Sequence, residues 1–176
     1  LLSKFKYPKI KIAVTGSSGK GSTSALLAEV LKENGYSVCF NASGANLKYG
    51  FTSACLKNSS LTGKIKSDIM VIEIDEKYTK EVFKDFKPDY LIVTNITKDQ
   101  PPRQHNVDIT YKEIVSTLPK NTAIVTMMDE PYLRNFELEL PNKVIYYGLS
   151  KNEFSYQNQL FENLNTYYCP KCHHKL

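Results

Sequence analysis

No apolar run in this 176-residue chain approaches the length of a membrane span. The start, Leu1-Leu2-Ser3-Lys4-Phe5-Lys6, turns polar at once and carries no secretory leader. No internal repeat or low-complexity tract is visible. The basic residues form no long run: Lys+Arg 23 against Asp+Glu 18 gives +5, scattered along the chain. That pattern fits a solvated surface and a polyphosphate ligand without demanding nucleic acid. Cysteine is scarce, with four in all, and only Cys169 and Cys172 are closely spaced. Cys39 and Cys55 stand alone among apolar or small neighbours, as reduced core residues do. These absences point to a cytoplasmic, globular chain, and a hydrophobic content of 41% is enough for one domain with a real core. The missing initiating methionine and the stop soon after the cysteine pair suggest a piece of something longer.

What is present is organised around residues 10–31. Ile10-Lys11-Ile12-Ala13-Val14-Thr15 is short, apolar and β-branched, which suits a buried strand. Ser24-Ala25-Leu26-Leu27-Ala28-Glu29-Val30-Leu31 is a run of good helix formers. Between them stands Gly16-Ser17-Ser18-Gly19-Lys20-Gly21-Ser22-Thr23. Glycines let main-chain N–H groups converge on a phosphate, and a helix start adds partial positive charge. Lys20 can reach the outer phosphates, and a hydroxyl can hold magnesium. Val14 occupies the place of the first glycine in the usual P-loop pattern, so the turn is the shorter Gly-x-x-Gly-Lys form. The competing reading is a plain glycine-rich turn with a solvated lysine. The flanking strand and helix favour a nucleoside triphosphate site.

The remainder alternates. A helix is expected from about Ser22 to Asn34, stopped by Gly35, then a strand at Ser37–Asn41. Asn41–Asn46 is a polar loop at that strand's C-terminal end, where open α/β sheets bind ligands. A weaker helix covers Phe51–Lys57. The apolar run Ile69–Ile74 is a third strand, followed by Asp75 and Glu76, which read as the acidic first turn of a helix over Lys77–Phe86. Glu73 lies inside the apolar run, and burying a carboxylate without a partner is costly. It is therefore the candidate for a metal or phosphate-bound magnesium. Further strands are expected at Tyr90–Asn95, Thr122–Met127 and Lys143–Tyr147, with helices at Thr110–Leu118, capped by Thr110, and Glu130–Leu138. The fold class is α/β: a doubly wound, mostly parallel sheet of about six strands with a P-loop, plus a C-terminal half zinc ribbon. The expected division is 1–150 for the nucleotide-binding unit, 151–166 for a linker and 167–176 for the cysteine segment.

In that last segment Cys169-Pro170-Lys171-Cys172 has zinc-knuckle spacing, but one pair supplies two ligands where tetrahedral zinc wants four. His173 or His174 could add a third. The same text matches a haem-attachment pattern, which the missing leader weighs against. A redox pair lacks the preceding strand and following helix.

Taken in order, these motifs resemble the central, ATP-binding domain of the Mur ligase family, most closely the MurT type. The matching text is Thr15–Thr23, Asn41–Gly50, Glu73-Ile74-Asp75-Glu76, Pro88–Ile96, Asp99-Gln100, Asp129-Glu130-Pro131 and the late Cys-x-x-Cys, which together cover nearly the whole chain. The resemblance implies an ATP-dependent amide ligase that works with a GatD-like glutaminase subunit. The pair amidates the D-glutamate α-carboxylate of the peptidoglycan precursor lipid II, at the membrane face, through an acyl phosphate. Carried over by motif, the turn Gly16, Ser17, Ser18, Gly19, Lys20, Gly21, Ser22 and Thr23 binds ATP, with Lys20 on the β/γ-phosphates. Ser22 or Thr23 and Glu73 hold magnesium, Asn95 lies beside the nucleotide, and Lys20 and Glu73 are the catalytic groups. Cys169 and Cys172 match the first pair of a zinc ribbon.

The chain also departs from that pattern. Gly21 follows the lysine where the type has threonine, as in folylpolyglutamate synthases, which makes Ser22 the metal ligand. Pro101-Pro102-Arg103-Gln104-His105 replaces a segment that carries an acid, and Met127 stands where an asparagine would bond adenine. A nucleotide-binding paralogue without catalysis, and another Mur-type ligase such as a folylpolyglutamate synthase, are the alternatives.

Overall fold

The structure is a computed structural model that describes residues 2–41, 48–97, 107–153 and 169–174. The expected loop over 42–46, the Asp99-Gln100 pair, the 101–105 segment, most of the linker and Tyr167-Tyr168 lie outside the described residues.

Six strands, β1 (Ile10–Thr15), β2 (Val38–Phe40), β3 (Ile69–Glu73), β4 (Tyr90–Val93), β5 (Ala123–Met127) and β6 (Val144–Tyr147), form one sheet. Its order is β2-β3-β1-β4-β5-β6, and every pairing within it is parallel. The helices are α1 (Lys20–Glu33), α2 (Lys48–Asn58), α3 (Thr79–Asp85), α4 (Val107–Thr117) and α5 (Pro131–Glu139). Side chains on a strand alternate between faces, so neighbours serve different cores. Ala13 packs with Cys39, Met70, Ile72, Leu91 and Ile124 under Phe51, Phe83, Ile114 and Phe136, residues of α2 to α5. Val14 packs with Val71 and Ile69 on the other face, against Leu27 and Leu31 of α1. Cys39 and Cys55 are buried free thiols, as expected.

The strand order decides where a ligand can sit. From β1 the chain crosses to β2 and returns through β3, and then passes to β4 on the other side of β1. The crevice of such a sheet opens at the C-terminal ends of the strands where the winding reverses. Here that is the end of β1 between β3 and β4, where Val14 is paired with Glu73 and Thr15 with Val93.

Element ends shifted for local reasons. Helix α1 starts at Lys20 and stops where Gly35 takes φ +86°, with Tyr36 N–H bonding Leu31 O and Gly35 N–H bonding Lys32 O. This is a left-handed glycine cap of the Schellman kind. Helix α4 begins at Val107, so Thr110 is buried inside it and does not cap it. Val107, Tyr111 and Ile114 make an apolar stripe at helical spacing, and that burial extends the helix by a turn. The expected helix at 77–86 divides into a 3-10 turn, Glu76–Tyr78, and α3, with Asp75 capping the turn by accepting the Lys77 N–H at 3.0 Å.

Candidate functional site

The end of β1 leads into a turn that only glycine permits at its first position. Gly16 has φ +133°, and a Cβ there would lie 2.3 Å from Thr94 Oγ1 and 2.8 Å from Asn95 O. The turn is thus pressed onto the segment after β4, and side chains from that segment fix it. Thr94 Oγ1 donates to Ser18 O at 2.7 Å. Ser17 N–H donates to Asn95 O at 2.9 Å, and Ser18 N–H to Asn95 Oδ1 at 3.0 Å. Asn95 Nδ2 returns a bond to Ser18 O at 3.0 Å, and Ser17 Oγ donates to Thr97 O at 3.0 Å. Asn95 therefore lies against the turn, as a clamp that orients it.

Gly19 takes φ +76° and starts α1 without a side-chain cap. No acid occupies the first helical turn, and Ser22 is exposed there. An uncapped helix start leaves main-chain N–H groups and the positive end of the helix dipole for an anion. Thr23 N–H is already used, bonding Gly19 O at 2.9 Å.

Glu73 closes the other wall. Its residue is 7% exposed, and its Oε2 lies 3.3 Å from where a Cβ on Gly21 would stand. Any other residue at 21 would crowd the carboxylate, so glycine here opens the approach between Glu73 and the helix start. Among the described residues no cation pairs with Glu73. Its main chain is held by Asn41: Nδ2 donates to Glu73 O at 3.0 Å, and Oδ1 accepts the Glu73 N–H at 2.8 Å. The side-chain amide continues the β2–β3 ladder one step past Phe40, and so sets the position of the acid. A buried carboxylate beside an exposed hydroxyl at an open helix start is a donor set that suits magnesium with a phosphate.

Lys20 and Glu73 thus share one crevice. The direct partner of Lys20, however, is Glu76, at 3.2 Å between Nζ and Oε2, with both side chains nearly buried. The same ammonium bonds Gly16 O and, at 3.5 Å, Ser17 O. Sequence reasoning gave Glu76 to the acidic first turn of a helix; its place two residues after Ile74, at the end of the apolar run, was the available signal. Asn41 and Thr94 were covered only as polar strand ends.

Beyond β5 a cleft of about 360 Å³ is lined by Met128, Asp129, Pro131 and Arg134. Met127 packs against the core. Glu130 caps α5 by accepting the Tyr132 N–H at 3.4 Å, and burial raises its pKa against main-chain bonds from Ile96 and Tyr132 that lower it. A larger cleft of about 610 Å³, beside the Lys11–Asp89 pair, opens at the opposite ends of the strands.

The cysteine pair forms a tight turn. His173 N–H bonds Cys169 O and Cys169 N–H bonds His174 O, both at 2.8 Å, with His173 at φ +56°. Main-chain N–H groups of Cys172 and Lys171 bond the Cys169 sulfur and lower its pKa, which favours the thiolate a metal needs. Burial pushes Cys39 up to about 11 and Cys55 up to about 12, so neither offers a thiolate. Among the described residues no group of three or more His, Cys, Asp or Glu side chains could hold a metal ion, so neither His173 nor His174 joins the cysteine pair in such a group.

Residues 14–171 match the Mur ligase middle domain. The chain is 30% identical over 162 residues to the lipid II isoglutaminyl synthase (glutamine-hydrolyzing) subunit MurT of Staphylococcus aureus, covering 92% of this chain and 36% of that protein. It is 28% identical to the subunit of the same name from Streptococcus pneumoniae, covering 92% and 40%. It therefore spans well under half the length of these relatives. Among solved structures, a pseudomurein peptide ligase type C from Methanothermus fervidus superposes with a TM-score of 0.70 at 21% identity, over 99% of this chain and 33% of that one. MurF ligase from Thermotoga maritima, in complex with ADP, gives 0.61 at 24% identity, over 81% and 33%. At these identities the two structures show the shared fold.

Proposed function

Since the chain belongs to the Mur ligase middle-domain family, we propose that it is the ATP-binding portion of a MurT-like amide ligase. With a GatD-like glutaminase, the whole protein would amidate the D-glutamate of lipid II. One oxygen of the α-carboxylate attacks the γ-phosphorus of ATP, the bond to the β-bridging oxygen breaks, and ADP leaves an acyl phosphate. Ammonia from glutamine attacks the acyl carbon, phosphate departs with the C–O bond's electrons, and the nitrogen loses a proton to give the amide.

The observation that carries this reading is the buried Glu73 carboxylate, paired with no cation among the described residues and set against Gly21 at the uncapped start of α1, in the same crevice as Lys20. Lys20 would neutralise the β- and γ-phosphates. Main-chain N–H groups at Gly19, Lys20, Gly21 and Ser22 would line the phosphates without reorganising during reaction. Gly16, Ser17 and Ser18 shape the turn, and Asn95 holds it under the nucleotide. Ser22, with Thr23 behind it, and Glu73 are the residues that would hold magnesium, which when bound offsets phosphate charge. Residues 1–150 would form this unit and 151–166 a linker. Residues 167–176 would be the first half of a zinc ribbon, with Cys169 and Cys172 as two of its ligands. No helix among the described residues is long and apolar enough to cross a membrane, and a cytoplasmic enzyme meeting lipid II at the membrane face fits that. Nucleic acid is not an expected partner.

One observation favours a second reading, a nucleotide-binding relative without catalysis. The apolar Met127 packs against the core where a polar residue would bond adenine. The deciding experiment measures MgATP binding and lipid II amidation by the full-length protein with its glutaminase. Binding with amidation supports the ligase; binding with no amidation supports the second reading; no binding refutes both. Metal analysis of the 176-residue chain should give well under one zinc per molecule, and one full equivalent would show that the histidines complete the shell.

A further inference from the structure

We infer that Glu76 is the resting counter-ion of Lys20, a positioning residue that holds the ammonium against the turn and yields it to a bound triphosphate. The inference rests on the nucleotide reading of this crevice.

Glu76 is 5% exposed, and its carboxylate sits 3.2 Å from Lys20 Nζ, whose side chain is 12% exposed. The other acceptors of that ammonium are the carbonyls of Gly16 and Ser17, within the same turn. The lysine is thus folded back over its own turn, where these three acceptors together anchor it. A nearly buried ammonium needs such partners, because taking the charge from water is costly. A triphosphate at the open start of α1 offers stronger acceptors and more negative charge. Lys20 then has to exchange Glu76 for phosphate oxygens.

Glu76 is placed for that exchange by main-chain features that do not depend on its carboxylate. Asp75 caps the turn through the Lys77 N–H, and Thr79 Oγ1 donates to Glu76 O at 2.9 Å. Among the described residues the carboxylate bonds Lys20 and no other side chain. Its sequence separation from Lys20, 56 residues, is bridged by the β1–β3 pairing, which brings the two strand ends side by side. The pair is therefore a product of the strand order that also creates the crevice.

A counter-ion that serves only the empty state opposes binding. Losing it raises the free energy of the empty protein, while in the bound protein the phosphates already compensate Lys20. The same change removes a carboxylate that would repel them. The difference between the two states appears as affinity.

The test is calorimetric titration of ADP and ATP, with and without magnesium, into wild type, Glu76→Gln, Glu76→Ala, Lys20→Met and the double variant Lys20→Met/Glu76→Gln. Glu76→Gln should bind magnesium-free ATP about five- to tenfold more tightly than wild type, the scale of one partly buried charge pair. In the Lys20→Met background the same change should have less than a twofold effect. Glu76→Ala should follow Glu76→Gln in direction, and circular dichroism establishes that each variant is folded. Unchanged or weaker binding by folded Glu76→Gln would overturn the inference, as would an equal effect with and without Lys20, which marks a purely structural residue. Failure of the wild type to bind either nucleotide would instead refute the nucleotide reading itself.

Discussion

Gly16 is the residue on which the crevice geometry turns. Its φ of +133° is reserved for glycine, and the space for a Cβ is already taken by Thr94 Oγ1 and the Asn95 main chain. Gly16→Ala should therefore destabilise the fold by about 2–3 kcal/mol or more, read as a lower urea midpoint with unchanged slope. Gly19 has open space around its missing Cβ but φ +76°, so backbone strain alone opposes a side chain there. Glu73 carries the second expectation at this scale. Glu73→Gln keeps the shape and removes the charge, so MgATP binding should weaken more than magnesium-free binding. Equal losses by calorimetry would remove Glu73 from the metal's surroundings. How legible these residues were depended on how local their cause was. Glu73 stood out because an acid inside Ile69–Ile74 breaks an apolar run. Glu76 did not, because its partner lies across a strand pairing, and Asn41 did not, because its double bond to Glu73 exists only once β2 is in register with β3.

At the scale of elements the glycine and apolar signals were strong. Strand β1 runs over the residues its composition picked out, and α1 stops at the glycine expected to stop it. Caps were harder to read, since a cap is a small energy that burial of an apolar stripe overrides, as at Thr110. The start of α5 carries a pH prediction. Burial raises the Glu130 pKa above the ordinary glutamate value of 4.5. The native state then binds that proton more tightly than the unfolded chain does. The group's ionised form thus costs stability above its raised folded value, and stability is regained as pH falls from there towards 4.5. Below that value both states are protonated and the difference is constant. Glu130→Gln keeps an acceptor for the Tyr132 N–H and should remove this slope. Comparing urea midpoints of wild type and variant between about pH 4.5 and 7 isolates it from the carboxylates whose pKa is lowered, such as Asp68. Parallel curves for the two proteins would contradict the assignment.

The whole molecule couples the crevice to the fold. The turn after β1, the acid at the end of β3 and the clamp after β4 come from three adjacent strands, so the site exists only when the centre of the sheet is formed. A ligand held there binds the native state and has nothing to bind in the unfolded chain. It must then raise the unfolding free energy by mass action, by about 2.7 kcal/mol at a hundredfold excess over its dissociation constant. For a domain of this length each kcal/mol moves the melting midpoint by about 2–4 °C, so saturating MgATP should raise it by about 5–11 °C. Lys20→Ala should abolish most of that shift and also lower the ligand-free midpoint, because it leaves the buried Glu76 carboxylate without its cation. Chelating magnesium should remove a further part in wild type but little in Glu73→Gln. Differential scanning fluorimetry across the three proteins separates these contributions. A wild-type midpoint that ignores MgATP while the protein melts cooperatively would mean that no triphosphate is held at the end of β1.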